Sequence, residues 1–170
     1  MVVSFLGHRE IFQIESMREE LFSIVQNLIT HEGATRFLFG SRSKFDELCL
    51  AVVSELKKSN PHIQRIYVRA EYPCIGDSYK KKLMERYDDT YFPEKIRNAG
   101  RAIYVERNYE MIDKSECCVF YYDKDYKPHR RRRSKKDLLD YQPKSGTQIA
   151  HEYAMKKRKK IINVCDFLTK

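Results

Sequence analysis

At 170 residues and 42% hydrophobic content, the chain has the length and apolar material of one packed domain spanning 1–170. Its formal net charge of +9 is uneven: residues 124–144 carry nine basic and three acidic side chains, so +6 of the total sits in one segment and only +3 elsewhere. That argues against a uniformly basic, nucleic-acid-coating surface; no apolar run approaches the length of a membrane span, and the run at 2–6 is too short for a signal sequence.

Strand and helix patterns alternate along the chain. Residues 2–6 read as a buried strand. From 15 to 29, Met17, Leu21, Ile24, Val25 and Leu28 recur at helical spacing, and Gly33 closes that helix. Residues 36–39 form the second expected strand. Phe45, Leu48, Cys49, Val52 and Leu56 mark the next helix, which Asn60-Pro61 ends. Residues 66–70 are the third strand. The charged stretch from Asp77 to Tyr87 reads as loop or short helices over a ligand edge, broken by Pro93. Residues 104–114 are expected to be helical, with Met111 and Ile112 inward, and 116–122 is a strong strand. A basic insert follows at 124–142. Ser145 or Thr147 then caps a helix carrying Ile149, Ala150, Tyr153 and Ala154, and 161–164 is the last strand. The alternation predicts an α/β fold: a Rossmann-like three-layer sandwich with a mostly parallel central sheet of about five strands.

Three segments put small or polar residues just after an apolar run or just before a helix: Gly7-His8-Arg9, Gly40-Ser41-Arg42 and Lys144-Ser145-Gly146-Thr147. In an open α/β sheet such segments gather along one edge. Glycine lets backbone N–H groups approach a ligand there, and a helix N-terminus favours an anion. The pattern points to a phosphorylated, nucleotide-derived ligand. Ser145, Gly146 and Thr147 are the expected principal phosphate cradle. Gly7 gives backbone approach, Arg9 a guanidinium fork and His8 a hydrogen-bond donor. Ser41 and the amides beside Gly40 hold phosphate or ribose, Arg42 neutralises phosphate, and Asp46 orients ribose hydroxyls or Arg42. Equally, Ser41 or Ser43 caps the following helix and Asp46 meets its dipole.

Arg107 and Asn108 contact the ligand or a dimer mate, or else belong to a surface helix whose Asp113 caps or pairs locally. Exposed tyrosines such as Tyr72 or Tyr79 are available to stack on a base. Glu152 reaches the site or pairs with Lys156 one turn on. The run of Arg130, Arg131, Arg132, Arg133, Lys135 and Lys136 reads as a solvated loop, a lid over a polyphosphate, or contacts to a nucleic-acid backbone. It lacks interleaved aromatics for base stacking.

The five cysteines (Cys49, Cys74, Cys117, Cys118 and Cys165) are odd in number and form no CxxC pair. All but Cys74 lie in apolar runs, where thiols act as small core residues, so a reducing, cytoplasmic compartment is expected. None of His8, His31, His62, His129 and His151 pairs with Cys, Asp or Glu at ligand spacing, so no metal site is expected. Neither a GxGxxG fingerprint nor a P-loop is present, and no cofactor is expected.

Taken in order, Gly7-His8-Arg9, Phe39-Gly40-Ser41, the segment 107–113 before a strand, and Lys144-Ser145-Gly146-Thr147 before a helix and the closing 160–164 strand resemble the SLOG superfamily. That superfamily is named for the Smf/DprA and Lonely-guy proteins, and the chain looks most like its small stand-alone members that begin with a Gly-His-Arg motif. The resemblance covers nearly everything except the 124–142 insert. It implies a Rossmann-like fold that binds nucleotides or their derivatives, ADP-ribose-type signals among them, in signalling and in phage defence or anti-defence. It also implies a homodimer or higher homo-oligomer.

Lonely-guy enzymes hydrolyse nucleoside monophosphates at the N-glycosidic bond. Their signature has two glycines after a proline, then Gly-Thr, then a glutamate three residues beyond the threonine. Here Pro143 and Gly146-Thr147 fit, Lys144-Ser145 replaces the double glycine, and Ala150 stands at the glutamate position. Glu152 lies about 200° further round a helix, and the glycine run after the second strand is reduced to Gly40. The expected function is therefore reversible binding of a nucleotide-derived ligand, as a sensor or sequestering protein. The alternative is a phosphoribohydrolase with Glu152, Asp46 or Glu71 as its carboxylate. A third is nucleic-acid binding through the basic insert, as DprA-like relatives bind single strands.

Overall fold

The computed structural model describes residues 1–126 and 144–168. Strands β1 (Val2–Gly7), β2 (Arg36–Phe39), β3 (Gln64–Val68), β4 (Asp89–Tyr91), β5 (Cys117–Tyr121) and β6 (Lys160–Asn163) form one sheet in the order β4-β3-β2-β1-β5-β6. Every pairing is parallel. The chain steps outward from β1 to β4, then returns to place β5 on the other side of β1. The order therefore reverses at β1, and the crevice beyond the strand ends at such a reversal is where open α/β sheets bind ligands.

Helices α1 (Ile14–Thr30), α2 (Lys44–Lys57) and α6 (Cys165–Leu168) pack on one face of the sheet, and α4 (Ile103–Lys114) and α5 (Gly146–Lys156) on the other. The two-residue period of the strands sorts their side chains between these layers. Val3, Phe5, Phe37, Phe39, Cys117 and Val119 meet Met17, Leu21, Val25, Phe45 and Val52. Leu6, Cys118 and Phe120 meet Ile112, Ala150 and Ala154. The apolar stripe expected on α1 is buried, as are Met111 and Ile112 of α4.

The sheet has six strands rather than about five. The added strand, β4, is only Asp-Thr-Tyr and has no apolar run to announce it. Its register on β3 (Ile66↔Asp89, Val68↔Tyr91) places it at the edge, and Asp88 beside it accepts the Arg65 amide at 2.8 Å and its guanidinium at 3.0 Å. The stretch read as loop or short helices contains α3 (Asp77–Met84). Among the described residues no helix is long and apolar enough to cross a membrane. All five cysteines are free thiols, with Cys49, Cys117 and Cys118 buried and Cys74 exposed.

Candidate functional site

A cavity of about 50 Å³ lies where the C-terminal ends of β1 and β2 meet the starts of α2 and α5 and the middle of α4. It brings together seven of the expected site residues: Gly7, Gly40, Ser41, Asp46, Arg107, Asn108 and Thr147. Phe5, Leu6 and Met111 complete its wall. A space of this size takes one anionic group or a few waters. Whole small-molecule pockets run to roughly 300 Å³ or more, so the rest of a nucleotide would lie over the rim.

Its two glycines are required first by protein neighbours. A Cβ on Gly40 would stand 2.6 Å from Met111 Sδ and 2.7 Å from Arg107 Cζ and Nε. The missing side chain is thus the space that Arg107 occupies. On Gly7 a Cβ would meet the Phe45 ring at 2.3 Å.

Ser43, not Ser41, is the N-cap of α2, its hydroxyl accepting the Asp46 amide at 3.1 Å. The Asp46 carboxylate in turn accepts the amides of Ser41 at 2.5 Å and Gly40 at 3.2 Å. The N–H groups expected to hold a phosphate at this turn therefore serve the chain's own buried carboxyl. Burial raises the Asp46 pKa from 3.8 to about 6, against the Ser41 amide and the Arg107 guanidinium, which favour the charged form.

The sign of the resulting pH effect is fixed. A carboxyl that holds its proton more tightly when folded stabilises the fold below about pH 4 and loses about 3 kcal/mol of that contribution as pH rises through 6. Burial lowers the pKa of His8 and of His151 below 6.5, which acts in the opposite direction over part of the same interval. The difference in melting temperature, Asp46→Asn minus wild type, cancels the histidines. It is expected to rise by about 5 °C or more between pH 4 and pH 7; a flat difference would contradict a buried, ionisable Asp46.

Arg107 is only 4% exposed. Its Nε donates to Asn108 Oδ1 at 3.0 Å and its Nη1 to the Val68 carbonyl at 3.3 Å. Among the described residues nothing accepts from Nη2. Burial lowers its pKa, while Asp46, Tyr67, Tyr104 and Glu71 favour the charged form. Buried guanidinium groups are normally matched by an anion. Here Asp46 is the carboxyl whose charge acts most strongly on Arg107, and with its pKa raised to about 6 it still carries most of its charge at pH 7. Thr147, also buried, lines the cavity from the first turn of α5.

The remaining expected residues lie elsewhere. His8 is buried; its Nε2 accepts the Asp123 amide at 3.2 Å and its ring stacks on Tyr126 at 4.0 Å. It fastens β1 to the turn after β5 rather than offering a donor to the cavity. Arg9 is exposed, and its carbonyl accepts the Lys44 amide at 3.0 Å. Arg42 is exposed and donates to the Tyr79 hydroxyl at 2.9 Å, so Asp46 orients neither it nor its charge. Ser145 is the N-cap of α5, accepting the Gln148 amide at 3.0 Å, and Gly146 opens that helix.

Glu152 is exposed and accepts from Lys144 Nζ at 2.7 and 2.9 Å and from Gln148 Nε2 at 3.2 Å. It turns away from the cavity and meets Lys144, not Lys156; the carboxyl in the cavity is Asp46. Asp113 does not pair locally: its partners Lys95, Lys157 and the Tyr153 hydroxyl come from other elements. Arg130, Arg131, Arg132, Arg133, Lys135 and Lys136 lie outside the described residues. Met111 in the wall and Tyr104, its ring centroid 6.0 Å from Arg107 Cζ, were not expected here. The signal for them is the i, i+3, i+4, i+7 spacing of Tyr104, Arg107, Asn108 and Met111 along one helix face. Among the described residues no group of three or more His, Cys, Asp or Glu could hold a metal ion. Compared with known proteins, the chain matches no family model and no curated protein.

Proposed function

We propose that the chain reversibly binds a phosphorylated, nucleotide-derived small molecule at the C-terminal edge of its sheet, as a sensor or sequestering protein of the SLOG kind. The observation that carries this reading is the buried Arg107 guanidinium on the cavity wall, with Nη2 accepted by none of the described residues. A phosphoryl group between Arg107 and the start of α5 would add an anion at the open Nη2 of that guanidinium. There it would also meet the Thr147 hydroxyl and the first-turn amides of Gly146 and Thr147. Asp46, whose Oδ2 takes both backbone amides, would accept a sugar hydroxyl from the same molecule through Oδ1.

The test is thermal shift with AMP, ADP-ribose, cyclic ADP-ribose isomers, NAD and cyclic dinucleotides, with chromatography of the same samples. Stabilisation by mass action with intact ligand recovered is the expected result; at a hundredfold excess over Kd it amounts to about 2.7 kcal/mol. No stabilisation by any of them would refute the reading. Thr147→Val keeps the side-chain shape but removes the hydroxyl. It is expected to weaken binding of the active nucleotide by about tenfold or more while the unliganded melting temperature stays put.

One observation favours a second reading. Asp46, with a pKa raised to about 6, places a buried carboxyl in the cavity, which suits cleavage of a base from its ribose phosphate through an oxocarbenium-like transition state. Free base appearing with wild type but not with Asp46→Asn, while binding persists, would select hydrolysis over sequestration.

A further inference from the structure

We infer that the tyrosine rim on the β3 side of the cavity, centred on Tyr104, is the platform on which the nucleotide base stacks. This rests on the cavity being the phosphate site. Tyr104 lies one turn before Arg107 on the same face of α4, so it stands roughly 4.5 Å further along the helix axis toward solvent. Arg107 Cζ is 6.0 Å from its ring centroid. The ring is 50% exposed, yet its hydroxyl is fixed to the Glu71 carboxylate on the loop after β3. An aromatic side chain this exposed is ordinarily left to move. This one is held at its far end with a ring face in solvent, beside the buried cation.

The neighbouring loop is shaped at a cost. Tyr72 has a φ of 55°, the left-handed region that a glycine adopts without strain and a tyrosine does not. Its carbonyl accepts from Arg69 Nη1 at 2.6 Å, while Arg69 Nε is buried without a hydrogen-bond partner. The Tyr72 ring is 62% exposed and meets Tyr79 edge-on at 6.3 Å. Neighbouring strands stand about 4.8 Å apart, so the end of β3 lies roughly 10 Å from the end of β1. That is the scale of a nucleoside monophosphate laid across the edge, with its phosphate at Thr147 and Arg107 and its base at Tyr104. It also answers the size of the cavity, which accommodates the phosphoryl group and leaves the base outside.

Calorimetric titration of AMP and of ribose 5-phosphate into wild type, Tyr104→Ala and Tyr104→Phe tests the assignment. Wild type is expected to bind AMP about tenfold or more tighter than ribose 5-phosphate, in keeping with what one stacked base contributes. Tyr104→Ala should weaken AMP by about fivefold or more and leave ribose 5-phosphate unchanged, while Tyr104→Phe keeps AMP close to wild type. Unchanged AMP binding in Tyr104→Ala, or an equal loss for both ligands, would overturn the platform. Equal wild-type affinity for the two ligands would overturn it too, with the phosphate site left standing. Wild type binding neither would overturn both.

Discussion

Gly7→Ala is expected to destabilise the fold by about 3 kcal/mol, lowering Tm by roughly 6 to 12 °C for a chain of this size. The new Cβ would lie 2.3 Å from Phe45 Cδ1, 2.6 Å from Cγ and 2.9 Å from Cβ. The flexible end of a long side chain could move aside; the root of Phe45 cannot. Phe45 is fully buried in the first turn of α2, with its ring stacked on Tyr121 at 5.7 Å. Relief would require α2 to move off β1, and the Lys44 amide bonded to the Arg9 carbonyl ties that end down. Denaturant unfolding measures the loss. A loss under about 1 kcal/mol would mean that β1 and α2 are not packed this closely.

Arg107→Met is expected to abolish nucleotide binding, with affinity falling by about a hundredfold or more, while Tm changes by only a few degrees. Methionine keeps much of the stem's volume, and Asp46, its pKa already raised to about 6, can take up a proton, so no unpaired buried charge is left behind. Asp46 would lose the cation that favours its ionised form, so its pKa should rise further. Arg107→Lys retains a charge but not the planar fork, and an intermediate affinity is expected. Both variants are read by calorimetry and thermal melting. Wild-type affinity in Arg107→Met would remove the guanidinium from the account.

The layers of this fold were legible because burial dictates composition. Central strands β1 and β5 are covered on both faces, so they read as apolar runs, broken in β1 only by buried Ser4, and the α1 stripe shows the helical period directly. Edge strand β4 was not legible: three residues held by pairing with β3 and by the Arg65–Asp88 contact carry no periodic signal. At the site, the sequence located the edge but not the work of each residue there. Gly7 and Gly40 stand where expected, yet their reasons for being glycine are Phe45 and Arg107, side chains brought to them by the fold. His8 sits between a glycine and an arginine and looks like a ligand contact; its fate is decided by Asp123, 115 residues away. The same holds for Tyr104, whose partner Glu71 is 33 residues distant.

The most direct measurement is a titration of isotope-labelled protein with AMP and ADP-ribose, followed by ¹H–¹⁵N NMR. The Arg107 Nε–H resonance and the backbone amides of Gly146 and Thr147 should shift together along one binding curve, because one phosphoryl group meets both amides and the Nη2 of the same guanidinium. Shifts confined to the basic run at 130–136, or none anywhere, would contradict a phosphate site at the ends of β1 and β2.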